Sequence, residues 1–340
     1  MISRTESVSA VTEKLKIAHF VSGEAGAPRL SVLLPTFQPN EWFRQALRSV
    51  LLEAPADTQI GVVDDASPDV DVARFVSEID PTGRVEVVRN PVRLGLAGNW
   101  NRAIALARGE LIHLLHQDDY VLPGFYQRML RAFQRVPTLG MAFCRTRIVD
   151  AADRTTKTTS RVQWLPGIVP NWLPIIGKRQ RVQTPSAIVA RSTYEAVGGF
   201  RDDLKAALDW EMWVRIASRF QVWYESATLA AYRRHDTNES SRLSASGEIW
   251  PDLARAISIN ATAFPPDERI SLVTQSVRWY VNSALRTVGK KVQAGDYAAA
   301  RQILGHLPAM LELLVDDQVG NEVERRIGLI REQLRPTKAA

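Results

Sequence analysis

Residues 30–65, LSVLLPTFQPNEWFRQALRSVLLEAPADTQIGVVDD, alternate between two hydrophobic patterns. Residues 30–34 are a short apolar run, which predicts a buried strand that ends at Pro35. A helical pattern follows over 42–51, and residues 60–63 predict a second buried strand that ends at two aspartates. The order strand, helix, strand is typical of a parallel sheet that helices cover on both faces.

The same alternation continues along the first half of the chain. Residues 85–88 and 110–115 predict further strands, and 69–79 and 99–108 predict helices. Ligands of such sheets bind beyond the carboxyl ends of the strands. The polar residues at the predicted strand ends are therefore candidate site residues, namely Thr36, Asp64, Asp65, Arg93, Asp118 and Asp119.

The second half of the chain has a different pattern. Residues 162–177 carry no charge, and their three prolines argue against a regular helix. Beyond about residue 250 the pattern is helical throughout, with a helix–turn–helix near 294–300. Between these regions we predict a helix over 209–218 and short strands over 141–148, 187–190, 222–224 and 229–232.

The composition indicates a globular protein rather than a nucleic-acid-binding or membrane-spanning one. The 340 residues are 45% hydrophobic and 24% charged, and the net charge of +6 is spread without a long basic block. That excess suits a phosphate-bearing ligand or an anionic surface. Cys144 is the single cysteine, which excludes an internal disulfide and fits a reducing compartment. With no signal-like start and no long apolar stretch, we expect a cytoplasmic location.

Asp118 and Asp119 end the predicted strand 110–115 and precede a helical pattern. Carboxylates beside an apolar core need a partner, and hard cations such as Mg²⁺ bind to carboxylates together with substrate phosphates. The same pair could instead cap the following helix. The pair by itself favours neither interpretation.

Seven segments occur in order over about 30–243, namely LSVLLPTF, VVDDAS, NPVRLGLAGNWNRAI, LLHQDDYVLP, VGGF, DWEMWVRIA and YRRHDTNES. Taken together, these segments resemble the family 2 glycosyltransferases. The resemblance implies a GT-A fold, an α/β Rossmann-like mixed sheet flanked by helices. It divides the chain into a lead-in (1–28), a glycosyltransferase domain (29–245, with a nucleotide-binding half to 120 and an acceptor half from 121) and a helical C-terminal extension (246–340).

By resemblance, Thr36, Asp64 and Asp65 hold the base and ribose of a nucleoside-diphosphate sugar. Turn chemistry is the alternative for the two aspartates. The donor contacts assigned in the same way are Arg93 at the base or diphosphate, Asn101 at the ribose or pyrophosphate, Gly199 beside the sugar, and Arg234, with Arg233, at phosphate oxygens. Their alternatives are a surface arginine, a helix cap, a plain turn and a solvated basic loop.

The family's acidic metal motif is commonly Asp-x-Asp-Asp, whereas residues 116–119 read His-Gln-Asp-Asp. The resemblance therefore implies Mn²⁺ or Mg²⁺ held by Asp118 and Asp119, with Asp118 also near the donor and His235 joining the metal. With His116 in place of an acid, the site should depend more on the donor's phosphates. We interpret His113 and His116 as packed strand histidines rather than ligands.

Asp209 corresponds to the family's catalytic base, and Glu211 is the alternative if the helical position is shifted. The base would deprotonate an acceptor hydroxyl that attacks the anomeric carbon in one displacement, which inverts its configuration. A helix N-cap is the structural alternative for Asp209.

The resemblance thus implies a metal-dependent inverting, hexosyltransferase-like enzyme of bacterial polysaccharide, glycolipid or glycoconjugate biosynthesis. Its acceptor would be a saccharide, a lipid-linked molecule or a small molecule. The alternatives are a catalytically silent nucleotide-sugar-binding module and, with less support, a nucleotidyltransferase. The latter's glycine-rich phosphate loop is absent after residue 34.

Residues 162–181 combine Trp164 and Trp172 with a basic end. We expect this segment either to line the acceptor site, with peripheral contact to the inner face of a membrane, or to form a buried loop on the C-terminal helices.

Overall fold

One mixed sheet of ten strands organises the described part of the chain. The computed structural model describes residues 29–314, 321, 325–328 and 330, so the predicted lead-in and most of the chain beyond 314 lie outside the described residues. The strands are β1 (Leu30–Thr36), β2 (Gln59–Asp64), β3 (Val85–Arg89), β4 (Leu111–Leu114), β5 (Tyr120–Val121), β6 (Met141–Val149), β7 (Thr155–Thr158), β8 (Gly167–Ile168), β9 (Ala187–Ala190) and β10 (Val222–Arg233).

The strand order across the sheet is β3-β2-β1-β4-β9-β6-β10-β5, with β7 paired to β6 and β8 to β10. The first four strands in this order are mutually parallel, whereas β9 is antiparallel to both of its neighbours. The register sets Thr36 beside Asp64 and Leu33 beside Leu114. The carboxyl ends of β1, β2 and β4 therefore meet at one edge, as the sequence predicts.

Helices cover both faces of the sheet. Alternate residues of β1 point to opposite faces, so Val32 and Leu34 pack in one hydrophobic cluster and Leu33 in the other. The helices are α1 (Glu41–Glu53), α2 (Val72–Ile79), α3 (Gly95–Leu106), α4 (Phe125–Arg135), α5 (Trp172–Gly177), α6 (Arg191–Val197), α7 (Leu208–Ala217), α8 (Glu239–Ser246), α9 (Ile249–Ala261), α10 (Arg269–Gln293), α11 (Tyr297–His306) and α12 (Pro308–Leu311).

The C-terminal helices share a core with the sheet. Leu253 of α9, Val277 of α10 and Ile303 of α11 belong to the same buried cluster as Leu33 and Trp213. The predicted helix–turn–helix near 294–300 is confirmed: Gly295 has a φ of 75°, and the side chain of Asp296 accepts a hydrogen bond at the start of α11. The helical extension thus completes the side of the molecule that also carries α3 and α7.

Three local predictions were wrong. Pro35 does not end β1, because pairing with β4 stops at Leu33 and the missing N–H of Pro35 lies beyond that ladder. The strands predicted over 222–224 and 229–232 are one bulged strand, β10. Pro174 lies within α5, where it is the third residue and needs no intrahelical donor.

Cys144 lies buried in β6, where burial raises the pKa of its thiol. No helix in the described ranges combines the length and apolarity that crossing a bilayer requires. The expected location stays a prediction.

Candidate active site

An acidic turn follows β4 at the edge where the parallel strands end. His116, Asp118 and Asp119 each offer one ligand atom there, and these atoms lie within 4.8 Å of one another. The capping alternative for the aspartates is wrong, because α4 begins at Phe125 and its N-cap is Gly124. His113 is a packed strand residue as predicted, with Tyr126 and the Pro185 carbonyl as partners. The same prediction was wrong for His116, which follows β4, stacks on Trp100 at 4.6 Å and offers a ligand atom in the turn.

Asp119 is fully buried, yet one of its oxygens accepts no hydrogen bond from the described residues. Its Oδ1 accepts from the backbone N–H of Arg233 at 2.9 Å, and its Oδ2 lies 3.3 Å from Nδ1 of His116. Burial, followed by the neighbouring Asp118 charge, raises the pKa of Asp119 to about 6. A buried carboxylate oxygen without a donor fits a cation ligand.

Asp118 contacts His235, the most C-terminal of the predicted site residues. Its Oδ2 lies 2.8 Å from Nε2 of His235, whose ring centroid is 4.3 Å from that of Trp42. The structure therefore places His235 against Asp118, whereas the imidazole whose ligand atom lies within 4.8 Å of both aspartate oxygens is that of His116. A donor set of two carboxylates and one imidazole fits a divalent cation such as Mn²⁺. The role of His235 as a metal ligand stays a prediction.

Arg233 is buried against the acidic turn, so its guanidinium is not accessible to a phosphate group. Its side chain is 1% exposed, and its Nε donates to the backbone carbonyl of Asp118 at 3.1 Å. Its Nη2 donates to Gln45 at 2.6 Å and lies 3.2 Å from Asp153. Arg234 is exposed, and its phosphate contact stays a prediction.

Protein donors occupy the carboxylates of Asp64 and Asp65, which are 1% and 3% exposed. Asp64 accepts from the backbone N–H of Ser67 at 3.0 Å and pairs with Arg89 at 2.5 Å, so it has the turn role that was its alternative. The bonds of Asp65 go to Asn90 Nδ2 (3.0 Å), Leu94 N (2.7 Å) and Gly95 N (2.9 Å).

Asp65 therefore caps α3 from the end of the neighbouring strand. The sequence-based alternative that Asn101 caps this helix is wrong, because α3 starts at Gly95. The contact of Asp64 and Asp65 with a nucleotide stays a prediction.

Gln117 is a site residue that the sequence analysis missed. Its Oε1 accepts from Thr36 Oγ1 at 2.5 Å and from Phe37 N at 2.9 Å, which joins the end of β1 to the acidic turn. The guanidinium of Arg93 lies 3.9 Å from the centroid of the Phe37 ring. Thr36 and Arg93 thus lie at one side of the acidic turn, where the nucleotide base of the sugar donor is predicted to bind.

Asn101 holds the loop that contains Gly199. Its side-chain amide donates to the Phe200 carbonyl at 2.8 Å and accepts from the Phe200 N–H at 2.7 Å. A Cβ on Gly199 would lie 2.5 Å from the Asn101 Oδ1, which is closer than real contacts allow. The loop therefore needs glycine at 199 because the amide of Asn101 lies against it. Gly198, with a φ of 85°, ends α6 as a plain turn.

Asp209 is the second residue of α7, and the N-cap is Ala207. The N-cap alternative for Asp209 is therefore wrong. Its Oδ1 accepts from the N–H of Trp210 at 2.6 Å. Burial raises the pKa of Asp209 to about 6, although the nearby His116 opposes the shift. A carboxyl group with this pKa is suited to accept a proton near neutral pH.

Glu211 has a structural role instead. It is 4% exposed, and its two oxygens accept from Nε and Nη2 of Arg215 at 2.9 and 2.7 Å. Arg215 in turn donates to the carbonyls of Val197 and Gly199. Because both of its oxygens accept from Arg215, Glu211 is a poorer candidate for the base than Asp209.

The segment 162–181 divides into an exposed and a packed part. Trp164 is 79% exposed, with the Arg161 guanidinium 4.8 Å from its ring centroid. Trp172 is buried, and the backbone N–H of Gln180 donates to Tyr280 of α10. The second part therefore packs on the C-terminal helices, as the alternative predicts, but it contains α5 and is not only a loop.

The chain is similar in sequence to known proteins of one family. The family model "Glycosyl transferase family 2" matches residues 31–204, about half of the chain. The uncharacterized protein MT1568 of Mycobacterium tuberculosis is 30% identical over 66% of this chain and 73% of its own length. The succinoglycan biosynthesis protein ExoU of Rhizobium meliloti is 25% identical over 64% of this chain and 66% of its own. The chain spans less than half the length of several other curated relatives.

Solved structures agree on the fold. Residues 1–349 of TarS from S. aureus, in complex with UDP-GlcNAc, match 86% of this chain and 82% of that chain, with a TM-score of 0.64 at 16% identity. The mannosyltransferase PcManGT from Pyrobaculum calidifontis, in complex with GDP-Man and Mn²⁺, matches 84% and 86%, with a TM-score of 0.54 at 17% identity. The chain therefore belongs to glycosyl transferase family 2 and has the GT-A fold expected from its sequence.

Proposed function

We propose that this protein transfers a sugar from a nucleoside-diphosphate sugar to an acceptor hydroxyl, with a divalent cation and with inversion at the anomeric carbon. One observation carries the proposal: the buried Asp119 has an oxygen without a donor, within the cluster that it forms with His116 and Asp118 at the carboxyl edge of the sheet. TarS with UDP-GlcNAc and PcManGT with GDP-Man and Mn²⁺ support the class of donor and cofactor.

The predicted site residues would have three different roles in this reaction. Asp118, Asp119 and His235 would hold Mn²⁺ or Mg²⁺, which offsets negative charge on a leaving diphosphate when bound. Thr36, Arg93 and Arg234 would contact the donor directly. Asp64, Asp65, Asn101 and Gly199 would shape its pocket through the loops they hold.

Asp209 would accept the proton of the acceptor hydroxyl as that oxygen attacks the anomeric carbon. Its carboxylate form prevails above pH 6, because burial raises its pKa to about 6. A single displacement by a deprotonated hydroxyl leaves the sugar with inverted configuration.

The acceptor would be a saccharide, a lipid-linked molecule or a small molecule, and the name of ExoU supports a role in polysaccharide biosynthesis. Trp164 is exposed, and Arg161 lies over its ring, so this pair would suit contact with the headgroup region of a membrane. Flotation with anionic vesicles at low salt tests that contact; wild-type protein should float, and Trp164→Ser should float less. Wild-type protein that stays with the soluble fraction would exclude it.

The decisive experiment combines ligand binding with turnover. A thermal-shift screen of UDP-, GDP- and TDP-sugars with Mn²⁺ should raise the melting temperature for the true donor, and EDTA should abolish the shift. Release of the nucleoside diphosphate from that donor should require the cation. Asp118→Asn should lose both responses, whereas Asp267→Asn, an exposed acid outside the site, should retain them.

The screen also separates the alternatives. A donor that binds without transfer or hydrolysis, whatever the acceptor, would favour the silent binding module. Turnover that is unaffected by EDTA would contradict metal dependence.

A further inference from the structure

The C-terminal helices reach the start of α7 through one buried carboxylate. Oδ1 of Asp252 accepts from the backbone N–H of Lys205 at 2.8 Å, and Oδ2 accepts from those of Ala206 and Ala207 at 2.8 and 2.9 Å. Asp252 lies in the first turn of α9 and is 8% exposed. Three consecutive backbone N–H groups thus donate to a single carboxylate, which belongs to a different segment of the chain.

This contact holds the backbone that leads into α7. Its last donor, Ala207, is the N-cap of α7, and its other two donors, Lys205 and Ala206, precede the helix. Asp209 follows two residues after Ala207. Because hydrogen bonds to a buried carboxylate are directional and charge-assisted, Asp252 fixes the backbone from which Asp209 projects.

A second contact from the C-terminal helices acts on the other side of Asp209. The Trp210 ring lies 5.1 Å from that of Tyr280 in α10, and its Nε1 donates to the carbonyl of Ile176 at 2.7 Å. By contrast, Lys205 and Glu248 form an ion pair at the same interface in which both side chains are exposed to solvent. Exposed pairs contribute little to stability, so Glu248 offers a matched control.

We propose that Asp252 is a positioning residue for glycosyl transfer, which acts by holding residues 205–207 and so setting the place of Asp209. The inference rests on the proposed role of Asp209 as the base. It extends the working part of the enzyme beyond residues 31–204, which match the family model, into α9.

Three variants test the proposal. Asp252→Ala removes all three acceptor contacts and should lower kcat about 100-fold, since a displacement of about 1 Å can cost that much. Asp252→Asn keeps one acceptor atom and should lower kcat about tenfold. Both should keep the donor KM and the Mn²⁺-dependent thermal shift with the donor within about twofold, because the contact lies away from the cation ligands. Glu248→Gln should keep wild-type kcat.

Hydrogen exchange supplies a readout that does not need turnover. The amides of residues 205–207 should lose protection in Asp252→Ala and Asp252→Asn but not in Glu248→Gln. If the wild-type protein transfers no sugar, the proposed function fails, and the exchange data still decide whether Asp252 holds this segment.

The proposal is overturned if protection is unchanged in both Asp252 variants. It is also overturned if a folded Asp252 variant keeps wild-type kcat, or if the loss of apparent kcat in each variant equals its measured unfolded fraction, because unfolding removes active enzyme and leaves KM unchanged.

Discussion

The turnover of this protein should depend on pH through Asp209. Burial raises the pKa of this carboxyl to about 6, and a base must be deprotonated to accept a proton. The rate should therefore fall as the pH drops through 6 and level off above 7. The sign follows from chemistry: the carboxylate is the active form, and acid converts it to the inactive one.

The size of the effect follows from this pKa. With a pKa of about 6, roughly nine-tenths of the Asp209 side chains are ionised at pH 7 and roughly one-tenth at pH 5, so kcat should fall about tenfold. An aspartate with the ordinary value of 3.8 would leave kcat almost unchanged over this range. Asp209→Asn should lower kcat by about 10²- to 10⁴-fold.

The assay is nucleoside diphosphate release at saturating donor, acceptor and Mn²⁺ between pH 5 and 8. Asp119, whose pKa is also raised to about 6, would affect cation binding and so appear in the donor KM rather than in kcat. Asp209→Asn should turn over slowly and without the pH slope. A flat wild-type kcat between pH 5 and 7, or an Asp209→Asn variant with near-normal turnover, would refute the reasoning.

Three further predictions concern the loop that holds Gly199. Asn101→Ala removes two hydrogen bonds to Phe200 and should lower the free energy of unfolding by about 2 kcal/mol in urea titrations; an unchanged stability with a raised donor KM would instead indicate direct ligand contact. Gly199→Ala should lose a similar amount, and the double variant should lose less than the sum, because removal of the amide frees the space for the new Cβ; additive losses would contradict the clash. Glu211→Gln should cost about 2 kcal/mol because Arg215 loses a buried anionic partner, while the pH dependence of kcat should persist.

The sequence predicted the sheet because its strands carry strong local signals. Apolar runs followed by polar residues located β1, β2 and β4 within one or two residues, and the register brought their ends together as expected. Pro35 and the merged strand β10 were mispredicted, since both depend on which neighbour each strand meets. Strand pairing is a tertiary property that local patterns do not contain.

The site was predicted by residue type more accurately than by role. Asp118 and Asp119 lie together in the acidic turn, and His235 contacts Asp118 although 117 residues separate the two in sequence. Asp65 is a suitable residue for a ribose contact, but three protein donors surround its carboxylate.

Gln117 and Asp252 were missed for a physical reason. Their importance comes from backbone and hydroxyl donors contributed by other segments, and a local sequence pattern does not contain these contacts. The position of Gln117 inside the acidic motif was the one available signal.

The buried Cys144 makes the chain suitable for site-specific spectroscopy. It is the single cysteine of the 340 residues, and burial keeps its thiol protonated and inaccessible. A cysteine introduced in place of the exposed Trp164 would therefore be the one thiol that reacts with a maleimide or spin label. A probe at that position could report distances and surface contacts during turnover without prior removal of the native cysteine.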